Sequence, residues 1–538
     1  MEARQSIVDS ISYIHRQPAT ASTGPTLNMD VLVDIMRFTA PKHSAKTTFL
    51  NMMKTCRTLY SAGLPFLLAH VDILLPDRST LDNLASFCGF VELDKSHRCQ
   101  FIQSILISLR GINEGPRTQL SQAQIKTLER FSAILGCCHN LRSLTLPDSE
   151  AWLYYGSRCI PEALSTLACL RKLQLVFTFD ASHFENTARL LSMLRVPLRK
   201  VALFRQGESG QDVIGDPLAM LLNHRTTLEC VHFGPCKLEP TTLLYPKLRT
   251  LALGCARIDQ HHNDIVMSQI MRSLPNLERL ALGKYPSPVS PAARERFRQN
   301  NGRIQRERCM WPRLDILSGH VAILYGWGIT CPVRCLQITD YIHQPGDFYT
   351  TVLTDCTPSA LCIQIKLGRW GLTVHDLRTL IPAECAQSVT QLSVRFTFPD
   401  DAFDEPDNLL ENIYVLLDGL PLTFLNLHLC SWEEVRPSRD AGLIMPSYDW
   451  PALVYIQGLN PDILAFRIAE CVPSLQYLTL RRGTGKNRGS MPVDTNYDVS
   501  WRIYKAGDRI CLEKQPCLYS LEEFGMEDIS LSYDRYYG

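Results

Sequence analysis

The hexapeptide LRKLQL at residues 170–175 decides the fold, because variants of it recur along most of the 538-residue chain. Each copy carries apolar residues at its first, fourth and sixth positions, and most copies start about 28 residues after the preceding one. Such a period indicates a repeat architecture rather than one globular core. The clear copies are LRSLTL (141), LRKLQL (170), LRKVAL (198), LECVHF (228), LRTLAL (248), LERLAL (277), VRCLQI (333), ALCIQI (360), VTQLSV (389), LTFLNL (422) and LQYLTL (475).

The apolar spacing within and between the copies predicts alternating strands and helices. Within a copy, residues such as Leu144 and Leu146 alternate as in a strand with one buried face. Between copies, apolar residues fall at helical spacing, and a proline such as Pro246 or Pro275 often stands just before the next copy, where it ends the helix. One such unit cannot bury its own apolar face. Stacked units share a core, with parallel strands on one surface and helices on the other.

The same pattern makes several local predictions. A helix over 462–475 is expected to turn Ile463, Leu464, Ile468 and Cys471 inward. Three weaker copies, LDILSG (314), LVYIQG (453) and LYSLEE (518), are expected to be strands, and the first two follow a proline as the clear copies do. The segment WRIYKAGDRICLEK (501–514) predicts a hairpin that turns at Ala506-Gly507-Asp508 and closes the array.

The pattern over about residues 120–525 resembles the leucine-rich-repeat family, in the irregular ribonuclease-inhibitor-like form with a helix in every repeat. The Asn or Cys that usually follows the repeat core in this family is mostly absent here. The resemblance implies an α/β fold: a curved solenoid over residues 76–525, with parallel strands on its concave face and helices on its convex face. It also implies that protein ligands bind the concave surface and its rim loops. Residues 526–538 are expected to be a tail.

The N-terminal part has a different rhythm and predicts a helical module over residues 27–75, preceded by a disordered terminus at 1–26. LNMDVLVDIMRF (27–38) and FLNMMKTCRTLY (49–60) show helical spacing, and Gly63 is expected to end the second helix. A third short helix is expected to start at Leu64-Pro65, followed by a strand at HVDILL (70–75). Three short helices are marginal as a free-standing fold, so their apolar stripes predict a partner: the first repeats or another chain.

This module resembles an F-box. Asp30 and the apolar pair after it match the first helix of the F-box pattern, and Thr55-Cys56-Arg57 matches its later Cys-containing element, whereas Asn28 stands where the family usually has Pro. An F-box directly before leucine-rich repeats resembles a class of proteins that is abundant in fungi. The residues that the resemblance places against an adaptor are Leu27, Val31, Leu32, Ile35, Met36, Phe38, Phe49, Leu50, Met53, Cys56 and Leu59.

The resemblance implies a substrate-recognition subunit of a Skp–cullin–F-box ubiquitin ligase, and not an enzyme. The module would dock on the Skp-family adaptor, and through it on the cullin–RING ligase, while the repeats hold an unidentified protein substrate nearby. The alternative is a stand-alone interaction scaffold whose N-terminal helices only cap the solenoid. A third hypothesis, an enzyme with an unrecognised site, has no motif behind it: the chain contains no HExxH, no Gly-x-Ser-x-Gly and no Rossmann fingerprint.

A basic segment at about residues 283–313 is predicted to interrupt the repeat. From Lys284 to Arg313 it carries eight basic residues, opposed only by Glu295 and Glu307. Its arginines could hold an acidic or phosphorylated target segment by bidentate hydrogen bonds, and the alternative is a solvated, partly helical insertion. The candidate target-binding residues are Arg294, Arg296, Arg298, Arg303 and Arg306.

Composition bears on the remaining classes of function. The net charge of +1 gives no overall case for nucleic acid or an anionic membrane, and no apolar run is long enough to span a bilayer. Glu2 and Asp9 argue against a secretory signal. The 20 cysteines include no Cys-x-x-Cys pair, so they predict buried thiols rather than metal ligands or disulfides. We therefore expect no metal and no cofactor, and a cytoplasmic or nuclear location.

Overall fold

A computed structural model describes most of the chain, and its two compact units are Met1–Val71 and Asp72–Gly538. The predicted terminus at 1–26, the tail at 526–538 and the weak copy LYSLEE lie outside the described residues. The described residues are 29–39, 46–75, 81–109, 121–147, 149–155, 159–177, 185–205, 217–236, 243–256, 270–283, 290–308, 311–342, 346–367, 372, 374–399, 407–432, 451–484, 497–507 and 509–515.

The first unit contains three helices: α1 (Met29–Thr39), α2 (Lys46–Thr55) and α3 (Arg57–Ala69). Their bounds correct the sequence-based expectation of one helix over 49–60. The break falls at Cys56, whose backbone is extended and whose Sγ accepts the amide N–H of Leu59, so that Cys56 caps α3.

Gly63 does not end a helix, as was expected, but lies inside α3, which continues through Pro65 to Ala69. A Cβ atom at Gly63 would lie 2.5 Å from Cε of Met36 and 2.7 Å from Cγ of Met53. The glycine therefore lets α3 pack closely on α1 and α2. Its function is packing, and no backbone turn is required there.

The second unit is built on one open sheet of 16 strands that follow one another in sequence order. Strands β2 to β14 pair in parallel, and β14, β15 and β16 pair antiparallel. The strands are β1 (His70–Leu75), β2 (Ser104–Leu109), β3 (Ser143–Leu146), β4 (Lys172–Phe177), β5 (Lys200–Arg205), β6 (Cys230–Cys236), β7 (Thr250–Ala256), β8 (Arg279–Leu282), β9 (Leu314–Gly319), β10 (Val333–Ile342), β11 (Ala360–Lys366), β12 (Gln391–Pro399), β13 (Phe424–Trp432), β14 (Tyr477–Thr484), β15 (Tyr497–Ala506) and β16 (Arg509–Gln515).

Helices lie in most of the connections between the parallel strands. Because parallel strands in sequence order are joined by right-handed crossovers, these helices lie on one face of the sheet. They are α4 (Asp82–Glu92), α5 (Lys95–Cys99), α6 (Gln122–Leu135), α7 (Ser149–Tyr155), α8 (Cys159–Ser165), α9 (Glu185–Met193), α10 (Pro217–Met220), a 3-10 turn (Leu222–His224), α11 (Pro291–Arg308), α12 (Val321–Trp327), α13 (Asp347–Cys356), α14 (Val374–Arg378), α15 (Ala383–Ala386), α16 (Asp407–Leu417), α17 (Pro451–Gly458) and α18 (Pro461–Cys471).

Repeated hydrogen bonds hold neighbouring units in register. Near the start of most of the parallel strands, one carbonyl accepts two N–H groups of the next unit: Arg142 O accepts from Arg171 N and Lys172 N, both at 2.9 Å. Side chains add further links, as when Asn140 Nδ2 donates to Gln100 O at 2.7 Å. The leucines of the copies are fully buried between sheet and helices. This confirms the predicted strands of all the clear copies and the α/β, mostly parallel architecture.

The weaker sequence predictions have mixed outcomes. LDILSG forms β9, as predicted, and the hairpin of β15 and β16 is confirmed, with Gly507 at φ +67° in its turn. LVYIQG is not a strand but the helix α17, with Pro451 at the first helical position, where its missing N–H costs nothing. In α18, Leu464 and Ile468 are buried as expected, but Ile463 and Cys471 are exposed.

The predicted interruption at 283–313 is also corrected. Residues 291–308 form α11, which connects β8 to β9 and packs on α12 as other repeat helices pack on their neighbours. It is an ordinary repeat helix with a basic surface.

We expect Gly63→Leu to destabilise the first unit by about 1–3 kcal/mol, because the side chain has no space beside Met36 and Met53. Gly302→Leu in α11 is the matched control: nothing lies within 4 Å of its Cβ position, so better helix propensity should stabilise α11 by up to about 1 kcal/mol. Hydrogen exchange of peptides from α2–α3 and from α11 measures both effects. Unchanged protection of α2–α3 in Gly63→Leu would contradict the close packing.

Candidate functional site

Some residues predicted to contact an adaptor instead form the interior of the first unit. These residues are Met36, Phe49, Met53 and Leu59, and the side chain of each is 4% exposed or less. They are buried because the three short helices pack their apolar stripes against one another. Leu32 and Leu50 are half-buried against the same cluster. The prediction that the whole stripe faces a partner is therefore corrected for the cluster residues, which are Met36, Phe49, Met53 and Leu59.

A smaller set of apolar side chains on this unit is exposed. Val31 and Ile35 are 47% and 40% exposed and lie one turn apart on α1, so they share a helix face. Met29 and Tyr60 are exposed to a similar extent, although neither was predicted to contact an adaptor. Apolar spacing within one helix does not specify which side the other two helices cover, so no sequence signal separated these residues from the interior ones.

The remaining predicted adaptor residues add little to this face. Leu27 and the side chain of Phe38 lie outside the described residues. Cys56 is exposed at the junction of α2 and α3, where its Sγ accepts the N–H of Leu59 and caps α3. Cys56 is thus a structural residue of the helix junction.

The basic helix α11 uses part of its charge for packing. Arg298 Nη2 lies 2.6 Å from Asp355 Oδ2 of α13, with both side chains about four-fifths buried, and its guanidinium stacks 4.7 Å above the ring of Tyr325. Arg294 stacks similarly on Phe348, at 5.0 Å. These two predicted target-binding arginines are therefore contacts between repeats, which corrects the prediction for them.

The other predicted arginines of α11 are exposed to solvent. Arg296 and Arg303 are exposed, and Arg306 Nε donates to the carbonyl of Gly302 in the same helix at 3.1 Å. Buried Gln305 anchors the other side of the helix by donating to Gly328 O at 2.7 Å and accepting the N–H of Thr330 at 3.1 Å. The exposed arginines thus lie on a helix that packs as a structural element.

Along each strand, alternate side chains point towards the helices. The side chains between them lie on the opposite face of the sheet, which is here called the polar face. One row crosses the sheet in register, and its small polar members bond to one another: Asn426 Nδ2 donates to Ser393 Oγ at 2.9 Å, and the hydroxyls of Thr479 and Ser500 lie 3.1 Å apart. The row contains Thr145, Gln174, Ala202, His232, Ala252, Ala281, Ser318, Gln337, Cys362, Ser393, Asn426, Thr479 and Ser500.

Two histidines on the polar face are held neutral among cations. His428 lies in register between Arg395 and Arg481, and its Nε2 is 2.9 Å from Cys430 Sγ. Burial, together with the two guanidinium groups, lowers the pKa of His428 to about 3.

His232 has the same kind of environment at the other end of the sheet. Its Nε2 is 3.3 Å from Cys230 Sγ. Burial, then Lys200 and Lys172, lower the pKa of His232 to about 3. Both rings are therefore uncharged at neutral pH, and the positive charge of the polar face comes from lysine and arginine alone.

No group of three or more His, Cys, Asp or Glu side chains in the described part of the chain could hold a metal ion. The described cysteines are free thiols, and burial raises the pKa of Cys88 to about 12, which makes this thiol a poor nucleophile. None of the described helices is both long enough and apolar enough to cross a bilayer.

Comparison with known proteins identifies no relative: no protein-family model matches the chain, and no curated protein matches it.

We expect Arg298→Ala to destabilise the second unit by about 2 kcal/mol, because it leaves the largely buried Asp355 carboxylate without its charged hydrogen bond. Arg296→Ala on the same helix is the matched control and should cost less than about 0.5 kcal/mol, since Arg296 is exposed. Urea unfolding of the full chain measures both. Equal midpoints for the two variants would contradict a structural function for Arg298.

We also expect stability to fall as the pH is lowered from 6.5 towards 4.5. The unfolded chain protonates its histidines near pH 6.5, whereas folded His428 and His232 have pKa values of about 3, so the unfolded state binds more protons in this window. Each histidine contributes a slope of up to about 1.4 kcal/mol per pH unit. Melting temperatures at pH 7, 6 and 5 measure it.

The control compares pH slopes and not absolute stabilities. His428→Gln and His232→Gln should each flatten the dependence of the melting temperature on pH. A wild-type slope in the two buried-site variants would show that these rings titrate normally in the folded chain.

Proposed function

We propose that this protein is a substrate-recognition subunit of a Skp–cullin–F-box ubiquitin ligase. In this proposal the first unit is an F-box that docks on the Skp-family adaptor, and the second unit is a leucine-rich-repeat solenoid whose polar face holds the target protein. The protein catalyses no reaction itself. It acts by raising the effective concentration of target lysines at the ligase.

The observation that carries the proposal is the exposed apolar face of α1. Val31 and Ile35 stay exposed although the unit already has an interior of its own, built around Met36, Phe49 and Met53. A small helical unit with a complete interior and aliphatic side chains one turn apart on its surface suits helix-face recognition, in which a few buried anchors dominate affinity.

The architecture of the second unit supports the other half of the proposal. Its parallel strands recur with the repeat, one after another, and pair into one continuous sheet of 16 strands. Extended repeat surfaces of this kind bind macromolecules. A receptor of this class would act in the cytoplasm or the nucleus, where the ligase machinery is found.

The docking test is the double substitution Val31→Asp with Ile35→Asp. We expect it to lower affinity for a recombinant Skp-family adaptor at least about 100-fold, because two charges enter an apolar contact. Leu32 is unsuitable for this test because it packs on the unit's own interior. Biolayer interferometry with the full chain measures the affinity, and circular dichroism checks folding.

The matched control places the same charges on exposed apolar residues of the second unit. Val454→Asp with Ile463→Asp should leave adaptor affinity unchanged, since these side chains are 53% and 61% exposed on α17 and α18. If the wild-type chain fails to bind the adaptor, the proposed function is wrong. If it binds and Val31→Asp with Ile35→Asp also binds, docking uses another face.

A further inference from the structure

Five cations meet where three adjacent strands begin. They come from the copies LRSLTL, LRKLQL and LRKVAL, and are Arg142, Arg171, Lys172, Arg199 and Lys200. We call this group the cationic edge. Lys172 and Lys200 are direct register partners on β4 and β5, so their Cα atoms are about 4.8 Å apart. The three arginines stand one residue before their strands and are linked in the same order, with Arg171 N donating to Arg142 O and Arg199 N to Arg171 O.

Carboxylates compensate little of this charge. Glu229 lies 3.5 Å from Arg199, and both side chains are about half exposed. Among the described residues, no carboxylate lies within ion-pair distance of Arg142, Arg171, Lys172 or Lys200. The guanidinium of Arg171 donates only to the carbonyls of Ala168 and Leu170, at 2.9 Å each.

The equivalent positions further along the sheet are neutralised. Arg249 pairs with Glu278, and Arg334 pairs with Asp315 at 2.5 Å, in each case across adjacent strands. At the position before the strand, an unbroken run of positive charge is therefore specific to β3–β5.

Neighbouring charges of the same sign at this edge oppose folding. Burial, and then Lys200, lower the pKa of Lys172. Like charges directly opposite one another on adjacent strands destabilise a sheet. A bound anion would remove this repulsion, so the edge is arranged to gain from binding one.

We propose that the cationic edge binds a phosphorylated segment of a partner protein, with phosphoryl oxygens placed between Lys172 and Lys200 and reached by Arg171. A phosphate dianion presents several acceptor oxygens and about two charges at one point, which suits cationic side chains on register partners whose Cα atoms are about 4.8 Å apart. Carboxylates on an extended acidic peptide reach one side only at every second residue, about 6.6 Å apart, which fits this spacing less well.

A protein segment is favoured over a nucleic acid by what surrounds the cations. Recognition of single strands uses exposed aromatic rings on which bases stack. Among the aromatic side chains of β3–β6 whose burial the structure describes, Phe204 and Phe233 are buried, and His232 is only 6% exposed. As the target-binding part of the proposed receptor, this inference rests on the proposed function for the identity of the partner but not for anion binding itself.

The test uses the full chain and a fluorescein-labelled 12-residue Gly/Ala-rich peptide with two phosphoserines three residues apart. We expect saturable binding by fluorescence anisotropy at 50 mM NaCl that weakens as salt is added. Lys172→Glu with Lys200→Glu should weaken it at least about 100-fold, since each lost charge-assisted contact accounts for a factor of about ten or more. Arg296→Glu with Arg303→Glu, the same charge change on α11, is the matched control and should leave binding unchanged.

A milder variant separates binding from folding. Lys172→Met should raise the melting temperature of the free protein, because it removes one of two positive charges that repel each other across adjacent strands. It should also lower the affinity for the peptide about tenfold. The phosphopeptide should raise the melting temperature of the wild type by more than that of Lys172→Met. A merely structural lysine would give a lower melting temperature and unchanged affinity, which would overturn the proposal.

Three further outcomes would also overturn the proposal. They are no binding of the phosphopeptide, equal binding of the peptide with Glu in place of phosphoserine, and tighter binding of a 12-nucleotide RNA that depends on the same two lysines. Adaptor binding is measured separately, on a surface of the first unit. A protein that binds the adaptor but not the phosphopeptide would refute only this inference, and one that binds the phosphopeptide but not the adaptor would refute only the proposed ligase function.

Discussion

The hydrogen-bonded register between successive repeats is the constraint on which the second unit depends. Before most of the parallel strands, one backbone carbonyl accepts two N–H groups from the next unit, so these copies begin in register with their neighbours. A slip of one residue would turn the buried leucines to the polar face. Because leucines such as Leu144, Leu173 and Leu175 are fully buried, such a slip would cost several kcal/mol per repeat. The long sheet is therefore rigid in register even though the intervals between copies vary.

This constraint explains which parts of the fold could be predicted from the sequence. Two buried residues at spacing two identified the strands, since period-two burial is specific to a sheet with one covered face. The prediction of a strand at LVYIQG was wrong because its apolar residues at positions one, four and six also fit a helix. Pro451 did not distinguish the two, since proline suits the first turn of a helix as well as the start of a strand. The prediction that Gly63 ends a helix was wrong because glycine occurs both at helix ends and at close helix contacts. The sequence alone does not distinguish these two positions.

The candidate surfaces were harder to predict, for a related reason. A sequence shows only which charges are close together along the chain. The binding site was therefore predicted at α11, where several arginines lie in one segment. Two of these, Arg294 and Arg298, pack against aromatic rings of adjacent helices, which no local pattern indicates. The cations at the start of β3–β5 are spread over about 60 residues of sequence and become neighbours only through strand pairing. In the first unit, likewise, only the packing of three helices separates exposed Val31 from buried Met36.

A repeat lattice gives each position a choice between stability and binding. Equivalent residues on adjacent strands lie about 4.8 Å apart, so the sign of the charge at one position decides whether neighbours attract or repel. At the position before the strand, this chain carries Arg142, Arg171 and Arg199 in succession, and from Glu229 onward it mixes signs and forms pairs such as Asp315 with Arg334. Mixed signs join one repeat to the next. A run of one sign weakens that joint and leaves a field that an outside anion can neutralise. Since a binding surface needs unsatisfied charge and a stable sheet needs the opposite, the stretch where the run persists is the part of the edge best suited to a ligand.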